Sequence, residues 1–317
     1  MSRFYLGVDG GQSSTVALIA NEDGRVIGRG SGGACNHVGS SEGRDKFLSA
    51  VGECLEQACA QAGINRHSAA FAATCFGFSG GAEDKEAYTR ELVRSQRYRI
   101  THDADIALAG ATAGEPGIVV IAGTGSMAFG RNAAGNTARA GGWGYVFGDE
   151  GGAFDLTRRA LRAALRCEEG WGPETALRAL LLESTGAEDA NALLHRFYTG
   201  EYSRARIAQY APLVSEAAEE GDAVARAILA QAAEKLAFLA KGVFQQLFRS
   251  GEQPTVAFTG GVFDSTPLLA HFKERIRNSI GSEAQRPRLG AAAGALLEAL
   301  RLDDRRVALS NVPESEK

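Results

Sequence analysis

The sequence predicts an α/β protein of two lobes with mixed sheets, and three observations carry that expectation. First, the apolar strand Leu6-Gly7-Val8 runs into Asp9-Gly10-Gly11-Gln12-Ser13-Ser14-Thr15, a turn of glycines and hydroxyls, and then into a hairpin. Second, the same grammar returns about 110 residues later, where Gly117 to Ala122 is an apolar strand and Gly123-Thr124-Gly125-Ser126 the turn. Third, 317 residues exceed what one small core usually organises. Duplicated strand, turn and hairpin units suggest lobes whose loops face each other across a cleft, the usual ligand position in open α/β sheets.

In chain order, Val16 to Ala20 returns from the first turn, Asn21 to Gly24 is turn chemistry, and Arg25 to Gly30 is a further strand. Ser31 to Gly39 reads as too glycine-rich for a regular element. From Ser41, the three- and four-residue spacing of Phe47, Leu48, Val51, Cys54, Leu55, Ala58 and Cys59 marks a helix ended by Gly63. A buried strand from Ala69 to Phe78, the loop Ser79-Gly80-Gly81 and a charged helix through Arg94 come next. Tyr98 to Asp105 reads as an edge strand delivering two carboxylates, and a small-residue helix continues to Gly114.

The second lobe opens at Gly117, and Met127 to Gly130 with the Asn132 to Asn136 turn repeats the meander. Between Gly141 and Gly152, glycines take six of twelve positions around Trp143, Asp149 and Glu150, which no stable helix or ordinary strand tolerates. Helices follow over Ala153–Arg166, Pro173–Glu183 and Asp189–Tyr198, and around Ile228 to Leu247. Pro254 to Thr259 is a strand ending in a third glycine turn, Gly260-Gly261. Thr266 to Ile280 and Gly290 to Leu297 are helices, and Arg301 to Lys317 reads as a frayed polar tail. The expected division is 1–115 completed by the helix 289–302, then 116–288, with 303–317 as tail.

Chemistry follows from the turns. Gly10 and Gly11 let backbone N–H groups approach an anion, and Ser13, Ser14 and Thr15 add hydroxyl donors. The carboxylate of Asp9 would repel bare phosphate, so a divalent cation such as Mg²⁺ between them makes sense. An ordinary β-hairpin explains the same residues. Asn36 either closes a turn or meets a sugar hydroxyl or acetamido group, and Trp143 either plugs the core or walls a sugar pocket. Asp103 and Asp105 both remain base candidates, and His102 has no identified partner.

Bulk composition narrows the partners. A net charge of −4 carries no footprint for nucleic acid or an anionic membrane surface. No apolar run approaches the ~20 residues of a membrane span. Five cysteines, odd in number and without Cys-x-x-Cys spacing, fit reduced thiols in a cytoplasmic protein better than disulfides or zinc. No Gly-x-x-x-x-Gly-Lys-Ser/Thr motif occurs, which argues against a P-loop kinase.

The turn after Leu6, the turn after Ile118, the Val256 to Val262 segment and the run Gly-Gly-Trp-Gly…Gly-Asp-Glu-Gly resemble the sugar-kinase and actin superfamily. Within it they resemble the N-acetylglucosamine kinase branch related to the BadF/BadG/BcrA/BcrD ATPases. That resemblance implies two actin-like (ribonuclease H-like) lobes and ATP-dependent phosphorylation of an amino sugar, on O6, with Asp103 as general base. It further implies that Asp9 orients Mg²⁺ and that Gly10, Gly11, Ser13, Thr15 and Thr124 hold phosphate. Asn36, Asp103, Thr124, Gly125, Trp143 and Asp149 would line the sugar, and Gly260 and Gly261 would border adenosine. A homodimer is also implied. N-acetylglucosamine, glucosamine, N-acetylmuramic acid and a plain hexose stay open as substrates. Two other readings compete. An iron–sulfur ATPase activator needs interface thiolates, and a non-catalytic sugar sensor would usually have lost a catalytic acid.

Overall fold

A computed structural model describes residues 3–11, 14–35, 41–79, 85–199 and 202–317. Ser13, Asn36, Gly80 and Gly81 therefore lie outside the described residues. The chain divides into two compact units, 1–116 with 287–317, and 117–286.

In the first unit, strands β1 (Phe4–Gly10), β2 (Thr15–Asn21), β3 (Val26–Gly32), β4 (Ala70–Phe78) and β5 (Arg94–His102) form one sheet in the order β3-β2-β1-β4-β5. The β1/β2 and β2/β3 pairs are antiparallel, whereas β1/β4 and β4/β5 are parallel. Helices α1 (Ser41–Gln61), α2 (Glu86–Leu92) and α3 (Asp103–Ala111) come from this stretch. The strand expected from Tyr98 begins at Arg94, and the helix expected through Arg94 stops two residues short of it. The first carboxylates after β5 thus stand on a helix, not on a strand.

Helix α1 packs one face of this sheet, against Leu6, Val8, Ala17 and Ile19. Strand β3 runs on to Gly32, contrary to the expected irregular stretch, because its glycines are a docking surface. A Cβ on Gly28, Gly30 or Gly32 would overlap the carbonyls of Ala58, Cys54 and Ala50 respectively. Every second strand residue thus meets every fourth helix residue, about 6.6 Å against 6.0 Å of rise, and the two backbones lie in contact.

The second unit repeats the plan. Strands β6 (Gly117–Ala122), β7 (Ser126–Arg131), β8 (Thr137–Gly141), β9 (Thr255–Thr259) and β10 (Ala284–Gln285) form a sheet in the order β10-β9-β6-β7-β8. The meander is again antiparallel, and β6/β9 and β9/β10 are again parallel. Around it stand α4 (Ala153–Glu168), α5 (Leu177–Thr185), α6 (Ala190–Tyr198), α7 (Arg204–Ala208), α8 (Pro212–Glu219), α9 (Ala223–Leu247) and α10 (Thr266–Ile280). Leu229, Leu236, Ala240 and Val243 of α9 are buried as their spacing requires.

Helix α11 (Ala291–Leu302) returns to the first unit, covering the face of β1 away from α1 with Ala292, Ala295, Leu296 and Ala299. The segment after it is not frayed. Val307, Leu309 and Val312 pack on that same core. The Val26 N–H donates to the Ser310 carbonyl at 2.9 Å, and the Asn311 side chain to the Val26 carbonyl at 2.8 Å. Glu316, in a closing 3₁₀ turn, is buried. Polar composition hid a spaced apolar set that this face absorbs.

Candidate functional site

In the first unit the parallel register lines up three strand ends. Gly10 pairs with Phe78, and Phe78 with His102, so Asp9, Ser79 and Asp103 emerge at the carboxyl ends of adjacent strands. Asp103 opens α3, and its carboxylate is oriented from both sides: Ser79 Oγ donates to it at 2.7 Å and the Ala104 N–H at 2.8 Å. Asp105, two residues on, is spent on structure. It is 4% exposed and accepts from Arg99 at 2.5 Å and Thr101 at 3.0 Å, while Arg99 also reaches Glu298 at 2.6 Å. His102 is exposed and lends α3 only its backbone.

The half-buried carboxyl of Asp9 is pushed up to about 7, chiefly by burial and then by the acids Glu316 and Asp103. Glu316 is itself raised by burial, with its carboxylate accepting from the Ala293 N–H at the start of α11. A carboxyl so disfavoured as an anion, beside further acids, is suited to a divalent cation that restores the charged form. Without the cation, ionisation of Asp9 opposes folding increasingly as pH climbs from the ordinary carboxylate range to about 7. In EDTA, Asp9→Asn is therefore expected to raise Tm by ~2–6 °C more at pH 8 than at pH 5. An equal gain at both pH values in differential scanning fluorimetry would refute that account.

The first turn is tighter than its composition suggests. The Gly11 N–H donates to the Ser14 carbonyl at 2.9 Å, and Gly10 leaves no space for a Cβ beside Phe78 and Cys35. Thr15 is fully buried and donates to the Gly33 carbonyl at 2.7 Å, so its hydroxyl braces the turn instead of facing phosphate. Ser14 is exposed.

In the second unit, Gly123 to Ser126 leaves the carboxyl end of β6, and Gly260 and Gly261 leave that of β9. Gly260 has φ +106°, and a Cβ there would overlap the Ala122 carbonyl, so the two turns lie side by side. The start of α4 clamps the first of them: the Ala153 N–H donates to the Gly123 carbonyl at 2.8 Å and the Phe154 N–H to that of Thr124 at 3.1 Å. Ser126 Oγ donates to the Glu150 carbonyl at 2.7 Å.

Asp149, in a left-handed conformation at φ +61°, is 6% exposed. Its carboxylate accepts from the Ser126 N–H at 3.4 Å and from Arg204 Nη2 at 2.6 Å. Arg204 lies 5.4 Å from the Tyr145 ring centroid. Trp143 is 67% exposed under the Arg139 guanidinium, so it does not plug the core. Sequence reasoning missed Ser79, Arg204 and Glu316. Ser79 was visible as the hydroxyl ending an apolar strand, whereas Arg204 and Glu316 sit in segments whose local pattern carries no signal.

Two mixed five-stranded sheets of one shared topology, with glycine and hydroxyl turns at their parallel strand ends, define an actin-like ATPase fold of the sugar-kinase type. A structure of a candidate N-acetylglucosamine kinase from Chromobacterium violaceum superimposes with a TM-score of 0.73 at 30% identity, over 93% of this chain and 98% of that one. The chain belongs to the BadF/BadG/BcrA/BcrD ATPase family, whose model matches residues 6–299. It is 31% identical to the N-acetylmuramic acid/N-acetylglucosamine kinase of Clostridium acetobutylicum, over 84% of this chain and 88% of that protein. It is 28% identical to the N-acetyl-D-glucosamine kinase of Dictyostelium discoideum, over 93% and 97%. No helix among the described residues is long and apolar enough to cross a membrane.

Proposed function

We propose that this protein is an ATP-dependent kinase that transfers the γ-phosphoryl group of ATP to a hydroxyl, O6, of an amino sugar. One observation carries the reading: of the two carboxylates after β5, Asp105 is taken up by the Arg99 ion pair, whereas Asp103 is oriented by the neutral donors Ser79 and Ala104 at the strand ends, on the same edge as Asp9. Asp103 takes the proton of the sugar hydroxyl as its oxygen bonds to the γ-phosphorus and the bond to the β,γ-bridging oxygen breaks, releasing ADP. Ser79 fixes the carboxylate for that transfer. Asp9 is the group that would hold Mg²⁺, which supplies charge neutralisation on the phosphates. Gly10 and Gly11 border the phosphates, Thr124, Gly125, Trp143 and Asp149 the sugar, and Gly260 and Gly261 the adenosine.

The thiols speak against an iron–sulfur activator. Cys35, Cys54, Cys59 and Cys75 are buried, and burial pushes the Cys54 thiol up to about 12, away from the thiolate a cluster requires. The test is ADP release with Mg²⁺-ATP and glucosamine, N-acetylglucosamine, N-acetylmuramic acid, glucose or no sugar. Release that depends on an amino sugar is the expected result. Release indifferent to every sugar would overturn the reading.

A further inference from the structure

Arg204 sits where a charge decides what kind of amino sugar enters. It opens α7 beside α4, and its Nη2 holds the buried carboxylate of Asp149 at 2.6 Å. The pair lies directly over the turn after β6: a Cβ on Gly125 would stand 2.7 Å from Arg204 Nη2 and overlap the Asp149 carboxylate. Any ligand resting on Thr124 and Gly125 is therefore next to both charges. Asp155, the other buried carboxylate of this stretch, is likewise neutralised, by Arg158 at 2.7 Å and Arg159 at 2.8 Å.

A lone buried carboxylate at this place would favour a cation, and the C2 ammonium of a free hexosamine is one. With its charge cancelled, Asp149 keeps its capacity to accept hydrogen bonds but loses its preference for an ammonium. A guanidinium stacked on Tyr145 also resists the approach of a second cation.

We propose that Arg204 is a specificity-determining residue, which by neutralising Asp149 beside the Gly123 to Ser126 turn turns the site toward neutral N-acyl hexosamines and away from free, cationic hexosamines. The inference rests on the kinase reading and on Thr124, Gly125 and Asp149 as its sugar face.

The test uses the full chain with Mg²⁺-ATP, comparing wild type, Arg204→Met and Arg204→Lys on N-acetylglucosamine and glucosamine, with calorimetric Kd for each sugar. Wild type is expected to prefer N-acetylglucosamine. In Arg204→Met the kcat/KM ratio should shift toward glucosamine by about 10-fold or more, carried by tighter glucosamine binding. Arg204→Lys, which keeps the charge, should stay within about 3-fold of wild type. A ratio unmoved in a folded Arg204→Met protein, or moved equally by Arg204→Lys, overturns the role while leaving the kinase reading intact. Arg204→Gln replaces the methionine variant if thermal melting shows that variant unfolded. A wild type inert toward both sugars, with neither one binding, overturns the kinase reading and this inference together.

Discussion

Asp103→Asn is expected to lower kcat by ~10²–10⁴-fold while sugar affinity changes little. The amide matches the carboxylate in shape: its oxygen can still accept from the Ala104 N–H, and its NH2 can donate to the Ser79 hydroxyl, which then accepts instead of donating, so the side chain stays in place and the proton acceptor is lost. The neighbouring change supplies the contrast. Asp105→Asn keeps an acceptor for Arg99 and Thr101 but removes the buried charge that pairs with Arg99, and should cost about 1–3 kcal/mol of stability with a far smaller effect on turnover. Steady-state kinetics beside thermal melting separates the two. Near-wild-type turnover in Asp103→Asn would remove that residue from the role of base, and a collapse of kcat in Asp105→Asn would move the role to its neighbour.

Removing residues 306–317 is expected to destabilise the first unit severely, although polar and charged residues dominate that stretch. Val307, Leu309 and Val312 each contribute on the order of 1 kcal/mol as partly buried side chains. Loss of Glu316, whose backbone and carboxylate accept from the Gly290 and Ala293 N–H groups, uncaps α11 at a further cost of about 1 kcal/mol. Loss of the Ser310 and Asn311 hydrogen bonds to the Val26 end of β3 adds to this. The sum, roughly 4–5 kcal/mol, corresponds to a fall in Tm of about 8–15 °C. A truncated chain that melts within about 3 °C of wild type would show the segment to be dispensable.

The duplicated grammar made the fold readable. A strand, a glycine and hydroxyl turn and a hairpin appear twice, and the two sheets follow one order of strands. The places of Asp9 and Asp103 were also legible, the first within a recognisable strand and the second directly after one, although the helix that begins at Asp103 was not. Long-range pairing escaped. Gly32 looks like a loop residue until Ala50 of α1 is placed against it, because a glycine's reason lies in its neighbour and not in its own segment. Thr15 reads as a phosphate ligand until Gly33 takes its hydroxyl. Arg204 lies 55 residues from Asp149, in a five-residue helix too short for periodicity to register. The end of the chain failed for a compositional reason: three apolar side chains among charges do not resemble a core segment until a complementary surface is supplied.

The first unit is assembled from both ends of the sequence, 1–116 and 287–317, around an uninterrupted insertion, 117–286. On the ribosome the insertion is complete before α11 has been made. Strand β1 must therefore wait with one face bare, since the Leu296 backbone that lies against Gly7 is synthesised after the whole insertion. The order of folding is inverted relative to the order of translation. The middle of the chain can close on itself during synthesis, whereas the half that carries Asp9 and Asp103 becomes whole only after 287–317 have emerged.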